Sequence, residues 1–277
     1  RLSVGEIAGV RDRLRQATAP ALADALARVR ASPVVYADET GWREGGQHGY
    51  VWSLSTPGPD GVRHYCFDPG RAGEVAARLL GTFRGALVTD FYGGYNAAHG
   101  RHPRCWVHLL RDLPGTLWVL REGHAADPEV PQWAAAVRRL YDHAQAILRR
   151  PRPTPLTAAQ RTRLFERLEE RARQLGLRYA RVKAHPCQAL AKRLLRHHGE
   201  LFQFVKAPGV RADNNLAERS IRPVVVLRKI SGGARGPRGS QTRMALASFF
   251  GTWQAQGLNT LDACLALLRH PLSLPQA

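Results

Sequence analysis

The chain has 277 residues, 44% of them hydrophobic, enough for one large domain or two ordinary ones with a real core. No apolar run reaches the roughly 18 residues of a membrane span, and the charged opening RLSVGEIAGVRDRLRQ carries no signal-peptide hydrophobic region. Lys and Arg number 41 against 22 Asp and Glu, a formal charge of +19, so the expected partner is a polyanion, nucleic acid first; the competing reading is an arginine-rich coding bias. The first residue is not Met, which reads as a fragment or a processed chain. Cys66, Cys105, Cys187 and Cys264 are scattered, with no C-x-x-C pair. That argues against a zinc ribbon or a disulfide framework and for a reducing, cytoplasmic setting.

Residues 1–31 place Leu14, Leu22, Leu26 and Val29 at helical spacing, and Pro33 ends this helical lead-in. Strand-like runs follow at 34–38, 50–55 and 62–67, separated by tight turns such as TPGPDG, which predicts an antiparallel meander. Residues 71–80 read as a helix closed by Gly81, and 86–89 as a further strand. From about 106 the beta-type runs stop. Helical periods cover 106–113, 131–150, 157–176 and 186–205, with a joint at PRPTP. A helix then starts near DNNLAERSIRP, a Gly-rich basic loop spans 231–240, and helices close the chain near 241–256 and 260–269. The order predicts an α/β class fold, a mixed sheet flanked by helices and interrupted by an all-helical insertion. The expected divisions are 1–31, 32–105, 106–212 and 213–277.

Asp38 and Asp90 each close an apolar strand pattern. If those strands are neighbours, both acids project from one end of the sheet, and two adjacent buried carboxylates call for a cation between them. Carboxylate oxygen favours a hard ion such as Mg²⁺. Two ordinary turn-starting aspartates would give the same pattern. Glu218 is the candidate third acid. Its competing role is a capping box with Asn215 three residues earlier. Its company is basic: Arg219, Arg222, Arg228, Lys229, Arg235, Arg238 and Arg243 surround this single acid between Asn214 and Arg243. Arg222, four residues on, shares its helix face, as a surface ion pair or as a phosphate clamp beside a metal ligand.

The segments SPVVYADETGWREGGQHGYVWSLSTP, ALVTDFYGGYN, CWVHLLRDL, DNNLAERSIRPVVVLRKISGGARGPRGSQTRMALASFFGTW and GLNTLDACLALL together resemble the catalytic part of the bacterial DDE transposases of insertion-sequence family sixty-six. The resemblance runs nearly end to end. It implies a ribonuclease-H-like fold and a metal triad at Asp38, Asp90 and Glu218. It implies Mg²⁺, with Mn²⁺ able to substitute, in a two-metal cleavage of DNA at transposon ends followed by strand transfer into target DNA. It also implies a homodimer on paired ends, helper proteins of the same element, a bacterial cytoplasm and nucleoid setting, and an upstream zinc-finger-like DNA-binding part that no segment here matches.

The family's C-x-x-H motif falls on Cys105 and His108. One Cys and one His do not close a zinc site, so Cys105 and Trp106 read as core, while His108 and Arg111 are candidates for DNA contact. The glycines of SGGARGPRGS allow close approach to phosphate; the alternative is a solvated linker. No G-K-[ST] follows, so no nucleotide cofactor is expected. Arg161, Arg163 and Arg173 read as a solvated helix face, and Trp133 as core rather than as a base-stacking ring. A ribonuclease or junction resolvase of the same fold, and a truncated transposase remnant that only binds DNA, are the competing functions.

Overall fold

The computed structural model describes residues 3–118 and 129–270. Residues 1–2, 119–128 and 271–277 of the expected lead-in, insertion and C-terminal part lie outside them. The protein is a mixed α/β chain that divides into two compact units, Arg1–Arg101 with Asn214–Ala277, and His102–Asp213.

In the first unit the expected helical lead-in consists of two helices. Helix α1 (Val4–Ala17) opens on a capping box in which Ser3 and Glu6 satisfy each other's backbone N–H groups. Helix α2 (Ala19–Ala31) restarts after Thr18 with Pro20 in its first turn, where no intrahelical N–H is lost. Strands β1 (Val34–Glu44), β2 (Gln47–Ser55) and β3 (Arg63–Asp68) form an antiparallel meander. Helix α3 (Gly73–Leu80) then leads to β4 (Ala86–Val88), which pairs in parallel with β1. The sheet order is β3-β2-β1-β4.

Strand β1 does not end at Asp38, where its apolar run stops. It continues to Glu44 because pairing, rather than hydrophobicity, carries it on. Glu39 to Glu44 pair with Trp52 to Gln47 around Gly45 and Gly46. Both glycines have positive φ, the backbone that a tight two-residue hairpin turn needs.

The second unit is helical among its described residues: α4 (Trp106–Trp118), α5 (Glu129–Arg149), α6 (Ala158–Ala180), α7 (Gln188–Leu201) and the short α8 (Gln203–Lys206). The period expected over 186–205 is thus broken at Phe202. Trp106 and Trp133 are core residues, and their indole N–H groups donate to Leu201 O (2.6 Å) and Leu175 O (2.9 Å). Cys105 is fully buried. Helices α6 and α7 approach so closely that a Cβ on Gly176 would lie 2.8 Å from Leu195 Cβ. The chain enters and leaves this unit at one place. Trp106 N–H donates to Ala212 O at 2.8 Å, and buried Arg104 reaches Glu200 at 2.6 Å.

The chain returns to the first unit as α9 (Asn215–Ser231), α10 (Pro237–Ala255) and α11 (Thr260–Arg269). Strand alternation sorts the two faces of the sheet. Val35, Ala37, Trp52, Leu54 and Leu87 join a core with residues of α2, α3 and α10. Trp42, Val51 and Tyr65 pack on Val224 of α9 and Met244 of α10. An edge strand exposes unpaired backbone groups, and α10 covers those of β3. Ser248 Oγ accepts from Tyr65 N and Thr252 Oγ1 from Arg63 N, each at 2.9 Å. The expected Gly-rich loop is shorter than 231–240, since α10 begins at Pro237, and it is not a free linker. Ala234 bridges Glu44 in parallel, accepting from Gly45 N (2.9 Å) and donating to Arg43 O (2.8 Å). Gly233, at φ +125°, lies against the Arg43 carbonyl where no side chain would fit.

Candidate active site

The parallel register pairs Tyr36 with Val88. Two residues further along each chain stand Asp38 and Asp90, so pairing alone brings both carboxylates to one level of the sheet. Asp90 follows β4 and its Oδ1 accepts from Tyr92 N at 2.8 Å, while Asp38 Oδ1 accepts from Glu39 N at 2.9 Å.

Glu218 arrives from the far end of the sequence on α9. Buried Asn214 is the N-cap, but its amide makes no capping bond; Nδ2 donates to Ala37 O at 2.9 Å, the residue before Asp38. The helix therefore starts beside the first aspartate. Glu218 N–H donates to Asn214 O at 3.1 Å, which makes Glu218 the fourth helical residue. The capping box with Asn215 does not form, because the cap is one residue earlier than the spacing suggested.

Burial pushes the Asp38 carboxyl up to about 7. The charges of Glu39, Asp90 and Glu218 add to that push, against the hydrogen bond from Glu39 N–H. Asp90 and Glu218 thus both act on Asp38 electrostatically within a single unit.

Glu39 points to the opposite face and is neutralised there. Its nearly buried carboxylate pairs with Arg71 (2.5 Å) and accepts from Tyr95 O–H (2.5 Å). Arg71 stacks over the Tyr92 ring at 4.0 Å, and the Tyr92 hydroxyl donates to the Arg71 carbonyl. Tyr92 also donates its N–H to Asp90, so this network ties the loop after β4 to β1. Sequence reasoning missed Glu39, Arg71, Tyr92, Tyr95 and Asn214. The available signals were the doubled acid in ADET and the tyrosines three apart in FYGGYN; Asn214 had none.

The expected DNA-contacting residues separate into groups. Arg222 and Lys229 are exposed on the turn positions of α9 that follow Glu218, and Arg219 is exposed beside them. Arg228 is half-buried and engaged with the protein, donating to Thr40 Oγ1 at 3.0 Å and to Gly41 O. Arg243 donates to Ser231 Oγ (2.6 Å) and Gly233 O (2.5 Å), while Arg235 and Arg238 are exposed at the start of α10. His108, half-buried, and Arg111, exposed, belong to α4 in the helical unit. There Arg161 donates to Val205 O (2.9 Å) and Arg173 pairs with Glu170 (2.7 Å).

A sequence model of the Transposase IS66 family matches residues 1–242. The chain belongs to this family. The IS66 chain is also similar to three uncharacterized proteins of Sinorhizobium fredii (strain NBRC 101917 / NGR234). It is 28% identical to y4qI over 72% of its own length, 29% to y4jO over 62%, and 24% to y4jD over 84%. It spans 38%, 49% and 49% of those proteins, less than half the length of each. No helix among the described residues of this transposase-family chain is long and apolar enough to cross a membrane.

The three acids of the IS66 chain form an all-oxygen donor set, although among the described residues their ligand atoms do not all lie within 4.8 Å of one another. Three carboxylates from β1, the end of β4 and the first turns of α9 offer oxygen only, the chemistry that Mg²⁺ and Mn²⁺ prefer. Asp38 is the one whose ionisation burial and its neighbours oppose, a cost that a bound cation would remove.

Proposed function

We propose that this chain is the catalytic part of a transposase that cuts DNA at transposon ends and joins the freed end to target DNA. On this reading Asp38, Asp90 and Glu218 hold Mg²⁺, or Mn²⁺ in its place, and the sheet with its parallel fourth strand is a ribonuclease-H-like core. The single observation that supports it is that Asp90, after β4, and Glu218, on α9, both act electrostatically on Asp38 of β1, in a chain that belongs to a transposase family.

Bound divalent metal would supply an activated water or 3′-hydroxyl and stabilise the leaving oxygen. The chain's own residues do the rest. Asp38 and Asp90 fix two ligand positions on a rigid sheet, and Asn214 sets the depth at which Glu218 faces them. Arg222 and Lys229, on the helical face of Glu218, hold the phosphodiester backbone in register with positive charge. Two copies acting on paired ends, with helper proteins of the same element, complete the proposal.

The test uses an oligonucleotide duplex carrying a transposon end, with target DNA and Mg²⁺. Asp90→Asn is expected to abolish both cleavage and strand transfer while non-specific DNA binding persists. Cleavage that survived Asp90→Asn would overturn the assignment. Cleavage by the wild type without strand transfer would instead mark a nuclease or resolvase.

A further inference from the structure

Helix α1 lies outside every motif that points to DNA, yet it forms one wall of a cleft whose other wall is the loop before α10 and the first turn of that helix. The cleft measures 590 Å³ and is lined by four guanidinium groups, Arg11, Arg235, Arg238 and Arg243. The single acid in its lining, Asp12, is already committed. It pairs with Arg15 at 3.0 Å, accepts from Gln16 at 3.0 Å and meets Thr242 Oγ1 at 3.5 Å. Arg243 donates to two neutral oxygens, and among the described residues no carboxylate pairs with Arg11, Arg235 or Arg238. Burial and the charge of Arg11 hold the Arg243 guanidinium below its ordinary range, which puts two cations in one small space.

Such a cleft suits a compact anion. The positive end of the nineteen-residue α10 opens at Gly236, and Gly239 of its first turn lines the wall without a side chain. No aromatic ring and no Asn or Gln lines it, so nothing there stacks on a base or reads its edge. Ala234, also in the lining, bridges Glu44 at the far end of β1. Glu44 is six residues beyond Asp38, ~20 Å along an extended strand, so this is a position distinct from the carboxylates.

We propose that this cleft binds a backbone phosphate of DNA, with Arg11 of α1 acting alongside Arg235, Arg238 and Arg243. The inference rests on the DNA-processing reading above and assigns a binding role to α1.

The test is anisotropy titration of the full chain with a labelled duplex of arbitrary sequence, without divalent metal, across a series of KCl concentrations. Each phosphate contact contributes about 0.9 to the slope of log K against log salt. The double variant R11Q/R238Q is expected to flatten that slope by about 2, and R11K/R238K to restore it. R13Q, on the same helix but outside the cleft, should keep the wild-type slope. A wild-type slope in R11Q/R238Q would overturn the cleft and leave the DNA reading standing. Equal flattening in R13Q, or no recovery with lysines, would also overturn it by showing a general charge or folding effect. A wild type that bound no duplex would remove both readings together.

Discussion

Asp38 carries its carboxyl where both burial and neighbouring charge oppose ionisation. In the metal-free fold its value rises from 3.8 to about 7. The folded state therefore prefers the protonated form. As pH rises from 3.8 towards 7, the unfolded chain gives up this proton while the fold resists, and stability falls. A shift of this size bounds the penalty at about 4 kcal/mol above pH 7. Asp38→Asn should then melt several degrees higher than wild type at pH 8 in chelator, and close to wild type at pH 4, as read by thermal unfolding. Millimolar Mg²⁺ should raise the wild-type midpoint and leave that of the variant unchanged. A variant that melted lower at pH 8 would mean that the carboxylate repulsion is not what the fold carries. The aspartates themselves could be picked out of the sequence, because an acid after an apolar run is a local signal. Asn214 could not. Its hydrogen bond reaches a carbonyl 177 residues away, and a contact of that range leaves no trace in spacing.

Between the elements, α10 shows how a helix can close a sheet without adding a strand. Its Ser248 and Thr252 supply the hydroxyl oxygens that a neighbouring strand would have supplied as carbonyls, and Gly251 lets the helix come near enough, since a Cβ there would sit 3.2 Å from Arg63 Cβ. Replacing Ser248 by Ala and Thr252 by Val leaves two buried N–H groups of β3 unpaired, at a cost of about 1–3 kcal/mol each. Chemical denaturation should show the double variant less stable by about 2–6 kcal/mol with little change in the slope of the transition. A loss under 1 kcal/mol would mean that water or a backbone shift replaces the hydroxyls. Periodicity announced α10 as a helix but hid this role, because Ser and Thr at helical spacing look like a solvated face. The same limit shortened β1. Hydropathy stops at Asp38, whereas the six residues beyond it are held by cross-strand pairing and by the Gly45–Gly46 turn. It also lengthened the Gly-rich loop, whose glycines mark a close approach to the Arg43 carbonyl rather than slack.

At the scale of the whole chain, the sheet unit is assembled from two pieces that the helical unit separates in sequence. The candidate site depends on that assembly, since Asp38 and Asp90 come from the first piece and Glu218 from the second. The helical unit closes on itself: the Trp106–Ala212 backbone bond holds its entry beside its exit, and Trp106 and Trp133 bury their rings and indole N–H groups against partners inside the unit. A segment with adjoining ends and its own core leaves few constraints on what joins residue 101 to residue 214. Replacing 102–213 with a flexible Gly/Ser linker of about eight residues should preserve the sheet unit, because loop closure grows only slowly costlier with length and a short loop is cheaper still. The shortened protein is expected to unfold cooperatively, with Trp42, Trp52 and Trp253 buried as before, and the excised 102–213 segment to be helical by circular dichroism. If the linked sheet unit failed to fold while the excised segment folded, the sheet would need the helical unit as a partner and not only as a connection.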